Sequence, residues 1–162
     1  MRTVTLRSST PSTVSVNDAV IAHADIAREV QNHPAPTPKQ AWGAATHALV
    51  VLELLLQRAR SLRLVVKPRS ENGAHETDED ALIRTLIEAE IMTPKADEAA
   101  CRHYYQANPS RFRTQVQGEL LPFDKVHARI TAYIEETAWR RAVAQYIALL
   151  VGQARITGCA MG

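Results

Sequence analysis

The side chains best suited to chemistry in this sequence are the six histidines (His23, His33, His47, His75, His103, His127) and the two cysteines, Cys101 and Cys159. Zinc sites gather about four such ligands at recurring spacings. Here no two histidines form an HxxxH or HExxH pair, and Cys101-Arg102-His103 offers only two donors. As nucleophile and base, Cys101 and His103 would stand two residues apart on one helix and point in different directions. The paired carboxylates are equally unpromising. Asp78-Glu79-Asp80 and Asp97-Glu98 follow helix-start signals, and Glu135-Glu136 lies within a periodic helix, so all read as helix-start charges or solvated faces. No phosphate loop, dinucleotide fingerprint or GxSxG is present. Trp139-Arg140-Arg141 is a basic-aromatic contact point or one packed Trp in a charged face. These residue types predict no metal, no cofactor and no catalytic constellation. What remains is contact chemistry, carried by apolar and aromatic side chains on helices.

The element that must position most of them is the C-terminal run Leu121–Ile156. It opens at Pro122-Phe123-Asp124, and Val126, Ile130, Tyr133, Ile134, Ala138, Ala142, Tyr146, Leu149 and Leu150 then recur at helical spacings. Such a helix would reach on the order of 50 Å and cannot bury a face that long by itself. A second long helix starts at Thr37-Pro38, a cap with proline in the first turn. It runs to about Leu64 with Ala41, Ala45, Ala48, Leu49, Leu52, Leu55, Leu56, Ala59 and Leu62 on its face.

Shorter elements fill the remainder. Val14–Ile21 carries two β-like pieces around Asn17-Asp18, which predicts a small hairpin or the lead-in to a helix. A helix follows over 24–32 and ends at the proline-rich joint His33–Pro38. Lys67–Thr77 reads as a loop, with breakers at Pro68, Ser70, Asn72 and Gly73. Thr77 caps a third helix bearing Leu82, Ile83, Leu86, Ile87 and Ile91, and a fourth spans Glu98–Ala107 before Asn108-Pro109.

The composition agrees with helices: alanine and leucine are abundant, glycine scarce and aromatics few. A net charge of +2 with no basic helical face argues against a nucleic-acid partner. The longest apolar run, Ala48–Leu52, is far too short to span a membrane. The opening Met1–Leu6 has no apolar signal segment, and two distant cysteines without a framework point to a reducing, cytoplasmic compartment.

Three stretches together resemble a known family. Val16-Asn17-Asp18-Ala19-Val20-Ile21, followed by a helix with Ile26 and Glu29, is similar to the opening of SurA-type chaperone domains. Glu53–Leu62 is similar to that family's second helix. Asp97-Glu98 through Tyr104-Tyr105-Gln106-Ala107-Asn108-Pro109-Ser110-Arg111-Phe112 resembles its E-x-x-x-x-Y-Y-x-x-N-x-x-x-F segment. NifM-like proteins and related parvulin-type prolyl isomerases are the nearest likeness, and it covers about residues 14–113 and 119–158. In those proteins a parvulin domain follows the last of these motifs. Here only Thr114–Leu120 separates Arg113 from Leu121, and no catalytic residue carries over.

The resemblance implies an all-α, SurA-N-like helical bundle completed by the long C-terminal helix. Its divisions are a flexible arm over 1–13, the SurA-like region 14–113, a joint over 114–120 and the C-terminal helix within 121–158. It implies a chaperone-like module that holds unfolded or immature polypeptide, and by likeness to NifM a maturing metalloenzyme client, with no isomerase activity in this chain. The client-contact residues expected are Leu52, Leu56, Tyr104, Tyr105, Phe112, Tyr133, Trp139 and Tyr146. The rival classes are a helical DNA-binding regulator, a residual isomerase with unrecognised catalytic residues and a dimerisation module. The short joint also predicts that the last helix packs on the N-terminal helices of its own chain or, exchanged, on those of a swapped homodimer.

Overall fold

A computed structural model describes residues 13–71, 73–114 and 118–160. The arm expected over 1–13 thus lies almost wholly outside the described residues, as does the middle of the joint. The described residues are mostly helical, with five α-helices and a few short strands. The chain divides into two units, one formed by residues up to Leu86 together with those from Ile147 onward, the other by Ile87–Tyr146.

In the first unit, β1 (Val14–Val16) and β2 (Ala19–Ile21) form an antiparallel hairpin. Asn17 and Asp18 turn it with φ of 49° and 74°, both in the left-handed region that a two-residue hairpin turn requires and that Asn and Asp tolerate. After α1 (His23–Glu29) and a single 3-10 turn over Val30–Asn32, Pro34 prevents continuation. Helix α2 (Pro38–Ser61) begins where Thr37 accepts a hydrogen bond from the Gln40 amide at 3.3 Å. Further along the chain, β5 (Ile156–Thr157) adds to the free edge of β1 and gives a sheet of order β2-β1-β5. The described residues are otherwise mostly helical, and this small sheet adds to the helical architecture expected.

Asn17 ties the corner together. Its side-chain oxygen accepts from the Arg155 amide at 2.8 Å, its own amide donates to the Arg155 carbonyl at 2.9 Å, and its Nδ2 donates to Gln57 Oε1 at 2.9 Å. The core beneath comprises Val14, Val16, Ile26, Ala45, Val50 and Leu54, flanked by Trp42, Leu150, Val151 and Ile156. On α2, Ala41, Ala45, Leu55, Leu56 and Ala59 are buried as expected, with Val50 and Leu54 buried beside them and Leu52 at the edge.

The Lys67–Thr77 segment, expected as a loop, contains a two-residue pair of strands, β3 (Ser70–Glu71) and β4 (Ala74–His75). Beyond it, Glu76 receives Nε and Nη2 of Arg84 at 2.8 and 2.9 Å and the Arg69 amide at 2.9 Å. The Arg84 guanidinium, followed by the Arg69 amide, holds its carboxyl down at about 2. Helix α3 (Asp78–Glu90) starts on Thr77, whose hydroxyl accepts from the Asp80 amide at 3.1 Å.

The second unit is built on α4 (Glu98–Ala107) and the first three-quarters of α5 (Phe123–Gln153). Asp97 caps α4, accepting from the Ala100 amide at 2.7 Å. Pro109–Phe112 makes a 3-10 turn that swings Phe112 into a core of Cys101, Phe112, Val126 and Ile130. The joint then reverses the chain: the Leu121 amide donates to the Phe112 carbonyl at 2.8 Å, and the Thr114 amide to the Glu119 carbonyl at 2.8 Å. Arg113 and Leu120 pair across it, and Arg113 Nη1 donates to the Gly118 carbonyl at 2.7 Å. Helix α5 departs from expectation in one respect. Val126 and Ile130 are its only buried residues among those described, whereas Tyr133, Trp139 and Leu149 are exposed.

Candidate functional site

The backbone of α4, the 3-10 turn after it and the second and third turns of α5 bring Tyr104, Arg111, Phe112, Arg129, Ile130 and Tyr133 around one open cavity of about 270 Å³. Helical spacing explains the α5 contribution, because Arg129 and Tyr133 stand four residues apart on one face with Ile130 beside them. Asn108 Nδ2 donates to the Tyr104 carbonyl at 2.9 Å and so ends α4 where Pro109 can begin the turn. The turn places Arg111 at the rim and its neighbour Phe112 at the floor.

The floor is dry: Phe112 is 4% exposed and Ile130 1%. The walls are phenol rings. Tyr104 and Tyr133 stand with ring centres 5.2 Å apart, and Tyr104 meets Phe112 edge-on at 6.1 Å. Such ring pairs add roughly 0.5–1.5 kcal/mol beyond the area they bury. The rim is cationic. Arg111 Nη1 donates to Tyr104 Oη at 2.8 Å, and its guanidinium carbon lies 5.7 Å from the centre of the Tyr133 ring. The Arg129 guanidinium carbon lies 5.9 Å from the centre of Phe112. Hydrogen bonding from Arg111, then contacts with Tyr104 and Thr137, pulls the Tyr133 hydroxyl below its ordinary range. The same phenols, Tyr133 first, hold Arg111 more firmly protonated. A guanidinium has more donors than two phenol oxygens can take, so Arg111 keeps donors for a ligand. No carboxylate lines the cavity.

The residues expected from sequence to meet a client divide into several groups. Tyr104 and Tyr133 line this cavity, and Phe112 is its floor. Phe112 is therefore a core residue whose one open edge faces the cavity, not an exposed contact. Tyr105 lies behind it, its ring tilted against Phe112 at 5.3 Å and edge-on to Phe123 at 5.6 Å, and its hydroxyl donates to the Leu121 carbonyl at 2.6 Å. Trp139 is 37% exposed further along α5, and the half-buried Tyr146 donates to Glu90 Oε2 at 3.2 Å. Leu52 and Leu56 belong to the other unit. There they line a groove with Val20, Ile21 and Leu49, edged by Asp25, Glu29, Glu53 and Glu79, and Leu56 itself is buried. Arg111 and Arg129 were not among the expected residues. Their signal in the sequence is adjacency, since each immediately precedes a buried apolar residue, Phe112 and Ile130.

Among the described residues no group of three or more His, Cys, Asp or Glu is placed to hold a metal ion, and no helix is long and apolar enough to cross a membrane. Cys101 and Cys159 are unpaired thiols, and burial raises the pKa of Cys159. No family model, curated protein or solved structure matches the chain, so the chemistry of the site rests on its own residues.

Proposed function

We propose that this chain is a polypeptide-holding module of the SurA-N-like kind, chaperone-like in action and without isomerase turnover of its own. The observation that carries the reading is the open cavity of the second unit, with its apolar floor of Phe112 and Ile130, phenol walls and hydrogen-bonding rim. An apolar base with a few convergent polar groups suits capture of one side chain from an extended or non-native segment. At about 270 Å³ it lies below the roughly 300–1,000 Å³ of pockets that enclose a small-molecule substrate. The joint supports the second half of the reading. Leu121 returns to hydrogen-bond Phe112 directly, and Arg113 pairs with Leu120.

The test is light scattering of a chemically denatured client diluted into buffer with and without the protein. Suppression of scattering at stoichiometric ratios is expected, and Tyr133→Ser should weaken it several-fold. A protease-coupled proline-peptide assay run beside it should stay at the uncatalysed rate. Unaltered scattering at every ratio, or isomerase turnover abolished by a single substitution, would reverse the proposal.

A further inference from the structure

Several arginines of this protein are paired with carboxylates. Arg28, Arg84, Arg102, Arg140 and Arg155 each meet a carboxylate, respectively Asp25, Glu76, Glu98, Glu136 and Asp18. Arg111 and Arg129 do not: among the described residues their recorded partners are the rings and hydroxyls of Tyr104, Tyr133 and Phe112. Both line the same cavity, and no acidic residue is part of its lining. Both side chains are exposed and carry like charge, and an anion seated in the cavity they line offsets their mutual repulsion. Arg111 is already held by two phenols, so it loses little freedom when a ligand arrives. A planar guanidinium also presents paired donors that match the two oxygens of a carboxylate.

The floor sets the second requirement. Phe112 and Ile130 close the base and are almost fully buried, so the aromatic faces left to a ligand are those of Tyr104 and Tyr133, which favour a flat apolar group. The volume admits one large side chain with its backbone left outside. We propose that the cavity recognises a polypeptide segment in which a carboxylate neighbours an aromatic side chain, the ring packed against Tyr104 and Tyr133 and the carboxylate met by Arg111 and Arg129. This rests on the polypeptide-holding reading above and narrows it: segments rich in Lys or Arg are rejected by the rim, and neutral aromatic ones are held weakly. The carboxylate comes from an Asp or Glu side chain or from the end of a chain, and the two sources share one chemistry.

Fluorescence anisotropy with dye-labelled peptides on the full chain tests this. The peptides share a Gly-Ser frame and carry Asp-Phe-Asp, Asn-Phe-Asn, Lys-Phe-Lys or Asp-Ala-Asp with an amidated end, or Asn-Phe with a free terminal carboxylate. Asp-Phe-Asp should bind about tenfold or more tightly than Asn-Phe-Asn, as expected for charge-assisted hydrogen bonds, and weaken as salt is raised. Lys-Phe-Lys should be the weakest, and Asp-Ala-Asp should lose a similar factor through the missing ring. Preference for the terminal acid over internal Asp identifies the chain end as the source, and the opposite preference identifies the side chain. Arg129→Gln should erase the advantage of Asp over Asn, and Arg129→Lys should restore part of it. Arg140→Gln, which removes a charge already paired with Glu136, should change nothing. The peptide series on the unaltered protein is decisive even if a variant folds poorly. Equal binding of the Asp, Asn and Lys peptides would overturn the inference while leaving suppressed scattering intact. Absence of both peptide binding and suppression would overturn both proposals. Tight binding of a single-stranded oligonucleotide that the peptides cannot displace would overturn this one.

Discussion

Replacing Gly158 by Ala should detach β5 from β1, and the size of the effect can be worked from three features. Gly158 has φ +78°, a conformation that costs an L-residue about 1 kcal/mol or more. A Cβ there would stand 2.3 Å from the Thr13 carbonyl oxygen and 2.8 Å from its carbonyl carbon. Those distances fall roughly 1 Å short of ordinary van der Waals contact. Both obstructing atoms are backbone, so the strand itself must shift. Moving it sacrifices the pairing of Ser15 with Thr157 and Val16 with Ile156, and the 2.8 Å bond between the Ser15 and Thr157 hydroxyls. At a net 0.5–1.5 kcal/mol for each hydrogen bond lost, the total is about 3 kcal/mol. Gly73 supplies the control, since it has nearly the same φ, +80°, but its Cβ would enter open space. Gly73→Ala should therefore cost only the conformational part, about 1 kcal/mol. Both glycines belong to the same unit, so urea titration of each variant reads the same transition. Amide exchange at Ser15 and Val16 should quicken in Gly158→Ala alone. Equal destabilisation of the two variants, within about 0.5 kcal/mol, would show that the close approach to Thr13 carries no weight.

Two further outcomes concern stability. Ile130 is 1% exposed in the core of the second unit, so Ile130→Ala should cost about 2–5 kcal/mol, seen as a lowered melting transition. Glu76 has a folded pKa of about 2 against an ordinary 4.5, and a depressed carboxylate contributes stability that is complete above 4.5 and lost as pH falls toward 2. Glu76→Gln should flatten the urea midpoint over that window and leave the difference from wild type unchanged above it.

The sequence was most legible where a cap or a turn leaves a local mark. Thr37-Pro38, Thr77 and Asp97 each announced a helix that begins there, and Asn17-Asp18 marked the hairpin corner. Pairing across long separations leaves no such mark. Ile156-Thr157 has the look of a helix end, and it is pairing with β1, whose Ser15 lies 142 residues from Thr157, that makes it a strand. The periodicity of α5 misled in another way. Val126, Ile130 and Ile134 do pack, yet Tyr133 and Leu149 share the same apolar spacing and remain exposed. Period reveals which residues share a side of a helix, not whether anything covers that side. The candidate site was half visible for the same reason. Aromatic residues drew notice through their type, whereas Arg111 and Arg129 look like ordinary surface charges until they are seen to line one cavity with no carboxylate in its lining.

The placement of β5 also has a consequence for the order in which the protein can form as it is made. The first unit is discontinuous, opened after Leu86 and resumed at Ile147, whereas the second is a single uninterrupted stretch. A ribosome adding about 5–20 residues per second needs several seconds to pass from one half of the first unit to the other. During that interval Val14, Val16 and Ile26 have no Leu150, Val151 or Ile156 to cover them, and β1 offers a bare edge. The inner stretch, by contrast, holds all four of its core residues between Cys101 and Ile130 and can close before synthesis is complete. A nascent chain arrested within α5 would therefore carry a finished inner unit beside an adhesive, half-built outer one, making the outer unit the part that most needs protection at birth.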